Sequence, residues 1–316
     1  MEDVTPEIQR EAESVDKSGT EAGRKYESRR PNLNFVEMNI PVGSEIYFTE
    51  KDECSARVVS ERKVSFGDEE FSLTALIRNL ICEPSDGSTI LAIADGAGGY
   101  SGGKEASRLA ISLLRASLDS GKTNGATYRN QILDAIEACN ERLTKNSNGA
   151  TTIAVVELVA SVMRPYHVGD SSIMVVGQRG LKKFQSVPHS PVGYGIESGY
   201  LDAEVSHTHD DRHWVSNLVG QKEMRIEVGA PFELAPYDTL MICSDGLTDN
   251  LPVDQIVCCI QNGPIDQALG KLVSLAITAM AKENGHPDDL TIMLYRRAYK
   301  INSTKVRESI SCTNIP

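Results

Sequence analysis

The segment ILAIADGAGGYSGGKEAS, residues 90–107, reads as an apolar strand, a glycine-rich loop and the start of a helix. The apolar run ends at Ala94, and Asp95 and Gly96 follow it directly. A carboxylate at the end of a strand can point at a metal ion, and a glycine lets a backbone carbonyl approach the same ion. Because Asp-Gly is also a common turn, this interpretation depends on whether the pattern recurs.

The same loop partly fits two other motifs. Residues 98–104 resemble the end of a phosphate-binding loop, but Glu105 stands where that loop needs a magnesium-binding hydroxyl. Ser101 lies in a Gly-x-Ser-x-Gly sequence, and Asp245 and His286 follow in the order of a serine hydrolase triad. That motif requires its serine directly at the strand end, and here a glycine-rich loop intervenes. Both alternatives are therefore weaker than the metal interpretation.

The pattern of an acidic residue at a strand end occurs three more times. Asp245 follows the apolar run at residues 239–243, Asp170 follows a strand-like run, and Asp288 lies just before one. Four converging carboxylates repel one another unless a cation neutralises them. Oxygen ligands without a histidine and cysteine set favour Mg²⁺ or Mn²⁺ over zinc.

Strand and helix patterns come in blocks along the chain. Strand-like runs and helical periodicities of apolar residues predict strands at 57–64, 71–82, 89–94, 151–158, 161–168, 172–177, 181–184, 224–228, 239–243 and 289–296, and helices around 106–114, 132–143 and 265–282. Blocks of this kind, without strict β-α-β alternation, indicate an α+β layered sandwich. We expect one catalytic domain at 40–298, with a mobile acidic leader at 1–39 and a polar C-terminal tail at 299–316.

Composition excludes several classes of protein. The 316 residues carry a formal net charge of −12, which argues against binding to nucleic acid or to an anionic membrane. The longest apolar stretch is far shorter than a membrane span. The seven cysteines have no C-x-x-C spacing, so neither a disulfide framework nor a structural zinc site is expected, and a cytoplasmic location fits best.

Taken in order, these segments resemble the motifs of the metal-dependent protein phosphatases of the type-2C serine/threonine class, in their bacterial form. The matching segments are Asp95-Gly96-Ala97-Gly98-Gly99, Gly149-Ala150-Thr151-Thr152, Val168-Gly169-Asp170-Ser171, Ser244-Asp245-Gly246-Leu247-Thr248-Asp249 and Asp288-Asp289-Leu290-Thr291. The resemblance covers roughly residues 40–298. It implies a central antiparallel β-sandwich flanked by antiparallel helix pairs, with the metal site at one end of the sandwich.

The resemblance also implies an activity and a set of site residues. The activity is hydrolysis of phosphoserine and phosphothreonine in proteins by metal-activated water, with a cognate serine/threonine kinase as a further partner. Asp95 bridges two ions and Gly96 offers its carbonyl to one, while Asp245 and Asp288 complete the shell of the other. Asp170 joins Asp245 around a third, weaker ion. Asp95 and Asp245 are thus the expected catalytic residues, with two or three Mg²⁺ or Mn²⁺ ions as cofactors.

The N-terminal motif departs from the family pattern. Asp52 is the expected last metal-organising acid, with Glu53 as the alternative under a shift of one residue. The arginine that holds substrate phosphate in the family then falls on Tyr47 or Phe48, neither of which can bind a dianion. Lys51, Arg57 and Arg62 are the alternatives for this role. The departure leaves open a second hypothesis, a non-catalytic scaffold that keeps the fold without turnover. A serine hydrolase using Ser101 is the remote third.

Overall fold

Two antiparallel β-sheets lie face to face, and helices cover the outer face of each. In the computed structural model the described residues are 33–40, 63–66, 69–72, 78–82, 88–97, 102–119, 127–146, 149–202, 209, 211 and 214–297. The strands are β1 (Leu33–Ile40), β2 (Lys63–Phe66), β3 (Glu69–Ser72), β4 (Arg78–Cys82), β5 (Ser88–Ala94), β6 (Ile153–Val159), β7 (Val162–Val168), β8 (Ser172–Val176), β9 (Lys182–Gln185), β10 (Glu227–Val228), β11 (Phe232–Glu233), β12 (Thr239–Cys243) and β13 (Leu290–Arg297). The helices are α1 (Gly103–Asp119), α2 (Arg129–Asn146), α3 (Pro191–Glu197), α4 (Asp245–Thr248), α5 (Val253–Ile260) and α6 (Ile265–Met280).

The strand order defines the two sheets. The first sheet runs β1-β13-β12-β8-β9, and the second runs β10-β7-β6-β5-β4, with β11 also paired to β7. All of these pairings are antiparallel. The short strands β2 and β3 form a separate hairpin.

The apolar core lies in three layers because successive residues of a strand face opposite sides of its sheet. In β5, Leu91 and Ile93 face the other sheet, where they join Ile173 and Ile242 in the core of the sandwich. The alternate residues of β5 pack instead against α1 and α2. The outer face of the first sheet is covered in the same way by α5 and α6. The result is a four-layer α/β/β/α sandwich.

The sequence predicted the α+β class and the sandwich correctly. Strand β1 pairs with β13 from Leu33 to Ile40, so this sheet includes residues that the sequence analysis assigned to the leader. Helices α3 and α5 were not predicted. In the described part of the chain, no helix is both long enough and apolar enough to cross a membrane.

Candidate metal centre

Strand β5 delivers Asp95 to one end of the sandwich, where two threonines of the neighbouring connection hold its backbone. Thr151 Oγ1 and the Thr152 backbone N–H donate to the Asp95 carbonyl oxygen at 2.7 and 2.8 Å. The Asp95 N–H in turn donates to Thr152 Oγ1 at 3.1 Å. With both backbone groups engaged, the backbone of Asp95 is held by hydrogen bonds that do not involve its carboxylate.

Gly96 is required by packing as well as by chemistry. A Cβ at this position would lie 2.3 Å from the Gly103 carbonyl oxygen and 2.4 Å from the Gly103 carbonyl carbon. Since these are backbone atoms at the start of α1, they cannot move aside as a flexible side chain would. Gly96 therefore has a second role that the sequence did not suggest: its lack of a side chain lets the N-terminus of α1 pack directly against this loop.

Asp170 lies in the tight connection between β7 and β8. Gly169 before it has φ +105°, and a Cβ there would lie 2.7 Å from the Cβ and Cγ2 atoms of Thr152. Thr152 Oγ1 and Ser171 Oγ form a hydrogen bond of 2.8 Å. The Thr152 hydroxyl thus contacts both acidic loops, because it also accepts from Asp95, and it fixes their spacing.

The register of the first sheet brings Asp245 beside Asp170 and Asp288. Cys243, the last residue of β12, pairs with Ser172 of β8 and with Ile292 of β13. The residues just beyond these pairs therefore meet at the same end of the sheet. Asp245 is also the first residue of α4.

Side-chain hydrogen bonds hold the Asp288 loop against α4. Asn250 Nδ2 donates to the carbonyl oxygens of His286 and Gly246, and Asn250 Oδ1 accepts from the His286 N–H at 2.9 Å. Asp288 Oδ1 accepts from the Asp289 N–H at 2.7 Å. These bonds orient Asp288 without a cation.

The clustered carboxylates raise each other's pKa. Burial raises the pKa of Asp95 well above its usual value, and the charges of Asp288, Asp170 and Asp289 raise it further. Burial raises the pKa of Asp245 well above the usual range, and Asp95 and Asp170 are the largest of the charges that add to it. Burial also raises the pKa of Asp170 to about 7. Each shift disfavours the ionised form.

This donor set suits a divalent cation. Burial and the neighbouring carboxylates disfavour ionisation of Asp95 and Asp245 together. Asp245 Oδ1 is buried and has no hydrogen-bond partner among the described residues. A hard cation would neutralise the two carboxylates and accept their open lone pairs. The four aspartates predicted from the sequence lie together here, and their function as ligands remains a prediction. Asp52, Glu53 and Ser101 lie outside the described residues.

His189 links three segments behind the Asp170 loop, a feature that the sequence did not reveal. Its Nδ1 accepts from the Gly169 N–H at 3.1 Å and from Asn217 Nδ2 at 2.8 Å. The His189 N–H donates to the Gly169 carbonyl oxygen at 3.0 Å, and Nε2 donates to Glu227 at 3.2 Å. Because Nδ1 accepts twice, the imidazole is neutral. Burial lowers the pKa of His189, which favours this state.

His167, His189 and Glu227 form a second group with metal-ligating atoms, all within 4.8 Å of one another. Both nitrogens of His189 are engaged by protein partners, and His167 Nε2 bonds to the Val187 carbonyl oxygen at 3.0 Å. The two imidazoles stack with ring centroids 4.5 Å apart. These contacts make the group a hydrogen-bonded support for the Asp170 loop.

We expect His189→Ala to weaken the metal centre through Gly169. The variant leaves the Gly169 and Asn217 donors without their buried acceptor, which lowers the free energy of unfolding by about 2–4 kcal/mol. Loss of the support behind Asp170 lowers the affinity for Mn²⁺ by about tenfold. Denaturant unfolding and Mn²⁺ titration calorimetry of the full chain measure the two effects.

His167→Ala is the matched control, because it also removes a buried imidazole from this group but no bond to Gly169. It is expected to destabilise the chain and to leave Mn²⁺ affinity within about twofold of wild type. Equal losses of Mn²⁺ affinity in both variants would contradict a specific contribution from His189.

Comparisons with known proteins agree with the geometry. The family profile described as protein phosphatase 2C matches residues 78–262. A putative protein phosphatase 2C-type protein of Streptococcus pyogenes is 29% identical over 217 residues, which span 66% of this chain and 85% of that protein. The serine/threonine phosphatase stp of Listeria monocytogenes is 26% identical over 233 residues, or 69% of this chain and 88% of that protein.

Solved structures support the fold. The catalytic domain of the serine/threonine phosphatase PstP, solved in complex with two manganese ions, superposes with a TM-score of 0.61. The alignment covers 84% of this chain and 99% of that domain at 18% identity. At that identity the likeness concerns the arrangement of sheets and helices, which places the four-layer sandwich among known architectures.

Proposed function

The chain belongs to the protein phosphatase 2C family, and from this premise we propose that it hydrolyses phosphoserine and phosphothreonine in proteins with Mg²⁺ or Mn²⁺ as cofactor. Phosphorylated proteins are accordingly its substrates. The metal ligands we propose are Asp95, Asp170, Asp245 and Asp288 together with the Gly96 carbonyl, and Asp95 and Asp245 are the proposed catalytic residues. Asp52, with Glu53 as the alternative, is proposed to complete the site.

The single observation that carries this proposal is the convergence of four aspartates from four separate connections. Burial, and then the repulsion among these carboxylates, raises the pKa values of Asp95 and Asp245. A fold that depends on this arrangement gains stability from bound metal, because metal binds only the folded chain.

The residues of the chain orient and neutralise the reacting groups. Mg²⁺ or Mn²⁺, when bound, supplies the positive charge that lowers the pKa of water and offsets the charge on the phosphoryl group. Asp95 and Asp245 would hold that cation through their carboxylates. Thr151 and Thr152 keep Asp95 in place through its backbone, so the carboxylate remains available for the cation. No protein nucleophile is needed in this scheme.

Two finer points are also part of the proposal. We propose that a cognate serine/threonine kinase phosphorylates the same substrates, since reversible phosphorylation requires an opposing activity. We also propose that the chain acts in the cytoplasm. The acidic composition and the scattered cysteines support this location.

The decisive experiment measures phosphatase activity of the full chain. With Mn²⁺, we expect hydrolysis of p-nitrophenyl phosphate and of phosphothreonine peptides, and we expect a chelator to abolish both activities because the aspartate cluster then lacks its cation. Readdition of Mn²⁺ should restore them. Released phosphate measures the reaction, and far-ultraviolet circular dichroism confirms that the chelated chain stays folded.

Two outcomes would favour the other hypotheses. A folded wild-type chain that binds Mn²⁺ without any turnover would support the non-catalytic scaffold. A large loss of activity in Ser101→Ala would instead support a serine hydrolase, because the metal-dependent reaction does not use that hydroxyl.

A further inference from the structure

A cavity of about 540 Å³ opens beside Asp170 and Asp245 and extends away from the metal centre. Its walls come from β9, from α3 and from the connection between α4 and α5. These two aspartates belong to the proposed metal site, whereas the rest of the cavity has no role in the chemistry described above. The cavity is therefore adjacent to the proposed metal site, and a part of a substrate next to its phosphoryl group could enter it.

The wall of the cavity is acidic beyond the metal centre. Glu197 at the end of α3 and Asp254 at the start of α5 both line it. Two lysines also line it, but Lys183 is bound by both carboxylate oxygens of Asp238 at 2.7 and 2.8 Å. Once a cation neutralises Asp170 and Asp245, Glu197 and Asp254 remain as acidic groups of the wall, and Lys182 is the one lining lysine without a bound carboxylate among the described residues.

Apolar side chains form part of the cavity wall. Val192 is buried, and Phe184, Ile196 and Val253 are half-buried along the same walls. Glu197 and Asp254 are exposed where these walls reach the surface. A ligand that suits apolar walls with acidic groups at the rim has an aliphatic stem and a positively charged end, which are the properties of lysine and arginine side chains.

Ser172 provides an independent sign of an unoccupied polar contact. Ser172 is the first residue of β8 and lines the cavity near Asp170, and it is only 2% exposed. Its Oγ has no hydrogen-bond partner among the described residues. A buried hydroxyl without a partner costs free energy, so a donor or acceptor brought by a ligand would be favourable here.

We propose that this cavity binds an arginine or lysine side chain of the phosphoprotein substrate, so that the chain prefers phosphorylated sites with a basic neighbour. This inference rests on the proposed function, because it concerns the substrate of the same site. Asp254 and Glu197 select the positive charge, and the apolar walls hold the aliphatic stem.

The test uses phosphothreonine peptides that differ at one neighbouring position, which carries arginine, alanine or glutamate in turn. Wild type and Asp254→Lys are compared by kcat/KM with Mn²⁺ and, independently of turnover, by fluorescence anisotropy of the labelled peptides. Asp266→Lys is the matched control. Asp254 and Asp266 are each the second residue of a helix that follows a proline N-cap, and only Asp254 lines the cavity.

We expect wild type to favour the best arginine peptide over its glutamate counterpart by about five- to tenfold in kcat/KM and in affinity. Asp254→Lys should remove this preference, Asp266→Lys should keep it, and both should hydrolyse p-nitrophenyl phosphate at the wild-type rate. Glu197→Lys tests the opposite wall and should reduce the preference in the same direction.

The inference is overturned if arginine gives no advantage at any neighbouring position, or if the advantage survives both Asp254→Lys and Glu197→Lys. These results are distinct from failure of the proposed function, in which Mn²⁺ supports no hydrolysis of any substrate. In that case the anisotropy still decides the inference, because peptide binding does not require turnover.

Discussion

Asp245→Asn should abolish turnover while making the metal-free chain more stable. The change removes one carboxylate from the shared ligand position, so we expect activity with Mn²⁺ to fall by about a thousandfold. It also removes a charge that Asp95 and Asp170 oppose. In the presence of a chelator, the free energy of unfolding at neutral pH should therefore rise by about 1 kcal/mol or more.

The pH dependence of this difference follows from the raised pKa of Asp245. The folded state holds the proton to higher pH than the unfolded state does, so the wild-type chain loses stability as pH rises above the unfolded value of about 3.9. The asparagine side chain that replaces this carboxyl group in the variant cannot titrate. The stability gap between variant and wild type should accordingly widen between about pH 4 and 7, and denaturant unfolding at several pH values measures it.

His189 titrates in both wild type and Asp245→Asn. Its contribution therefore cancels when the free energy of unfolding of wild type is subtracted from that of the variant at each pH. Because burial lowers the pKa of His189, that residue destabilises the fold as pH falls, which is the opposite sign. Asp254→Asn is the control, since Asp254 is exposed and outside the cluster. A variant at Asp245 that is less stable than wild type without metal, or one that keeps its activity with Mn²⁺, would contradict the role proposed for this carboxylate.

Gly96→Ala should disrupt the fold at the metal centre. The added Cβ meets the Gly103 backbone at 2.3 Å, and either the Asp95 loop or the start of α1 must move. We expect the free energy of unfolding to fall by about 3 kcal/mol or more. We also expect Mn²⁺ affinity to drop, because Asp95 is displaced with the loop. Denaturant unfolding and calorimetric titration with Mn²⁺ measure the two effects.

Gly199→Ala is the control for Gly96→Ala. It measures the loss of stability when a glycine is replaced at a site where the added Cβ overlaps no other atom. Gly199 has φ +72°, and a Cβ added there would have nothing within 4 Å, so alanine meets backbone strain alone. The expected loss is about 1–2 kcal/mol, with Mn²⁺ affinity unchanged. If Gly96→Ala lowers the free energy of unfolding no more than Gly199→Ala does, the close approach of α1 does not exclude a side chain at residue 96.

The sequence was sufficient to predict which aspartates lie together, because each of them lies in a short local pattern at the end of a strand. Asp95 and Asp245 both follow a run of apolar residues with β propensity and precede a glycine. Their meeting point depends on strand pairing, which is set over long distances along the chain. Antiparallel registers such as Cys243 with Ser172 bring Asp245 to Asp170, and the family resemblance supplied that arrangement in advance.

Other features could not be predicted from local patterns. Helix α3 contains Gly193 and Gly195, which hide its helical character, although Ser190 and Pro191 are a recognisable N-cap and first residue. The role of His189 depends on partners that lie 20 and 28 residues away in the sequence. Tertiary packing brings such groups together, and nothing in the order of residues marks them beforehand.

The proposed metal site and the proposed substrate-selecting residues lie on different parts of the fold, and this separation has an evolutionary consequence. The aspartates proposed to hold the cation lie at strand ends whose positions the sandwich fixes, whereas Glu197 and Asp254, proposed to select the substrate, lie on the exposed surfaces of α3 and α5. Selection can therefore alter recognition by exchanging a few surface side chains while the reaction itself is inherited intact. Descendants of one ancestral catalyst could in this way serve many different signalling circuits.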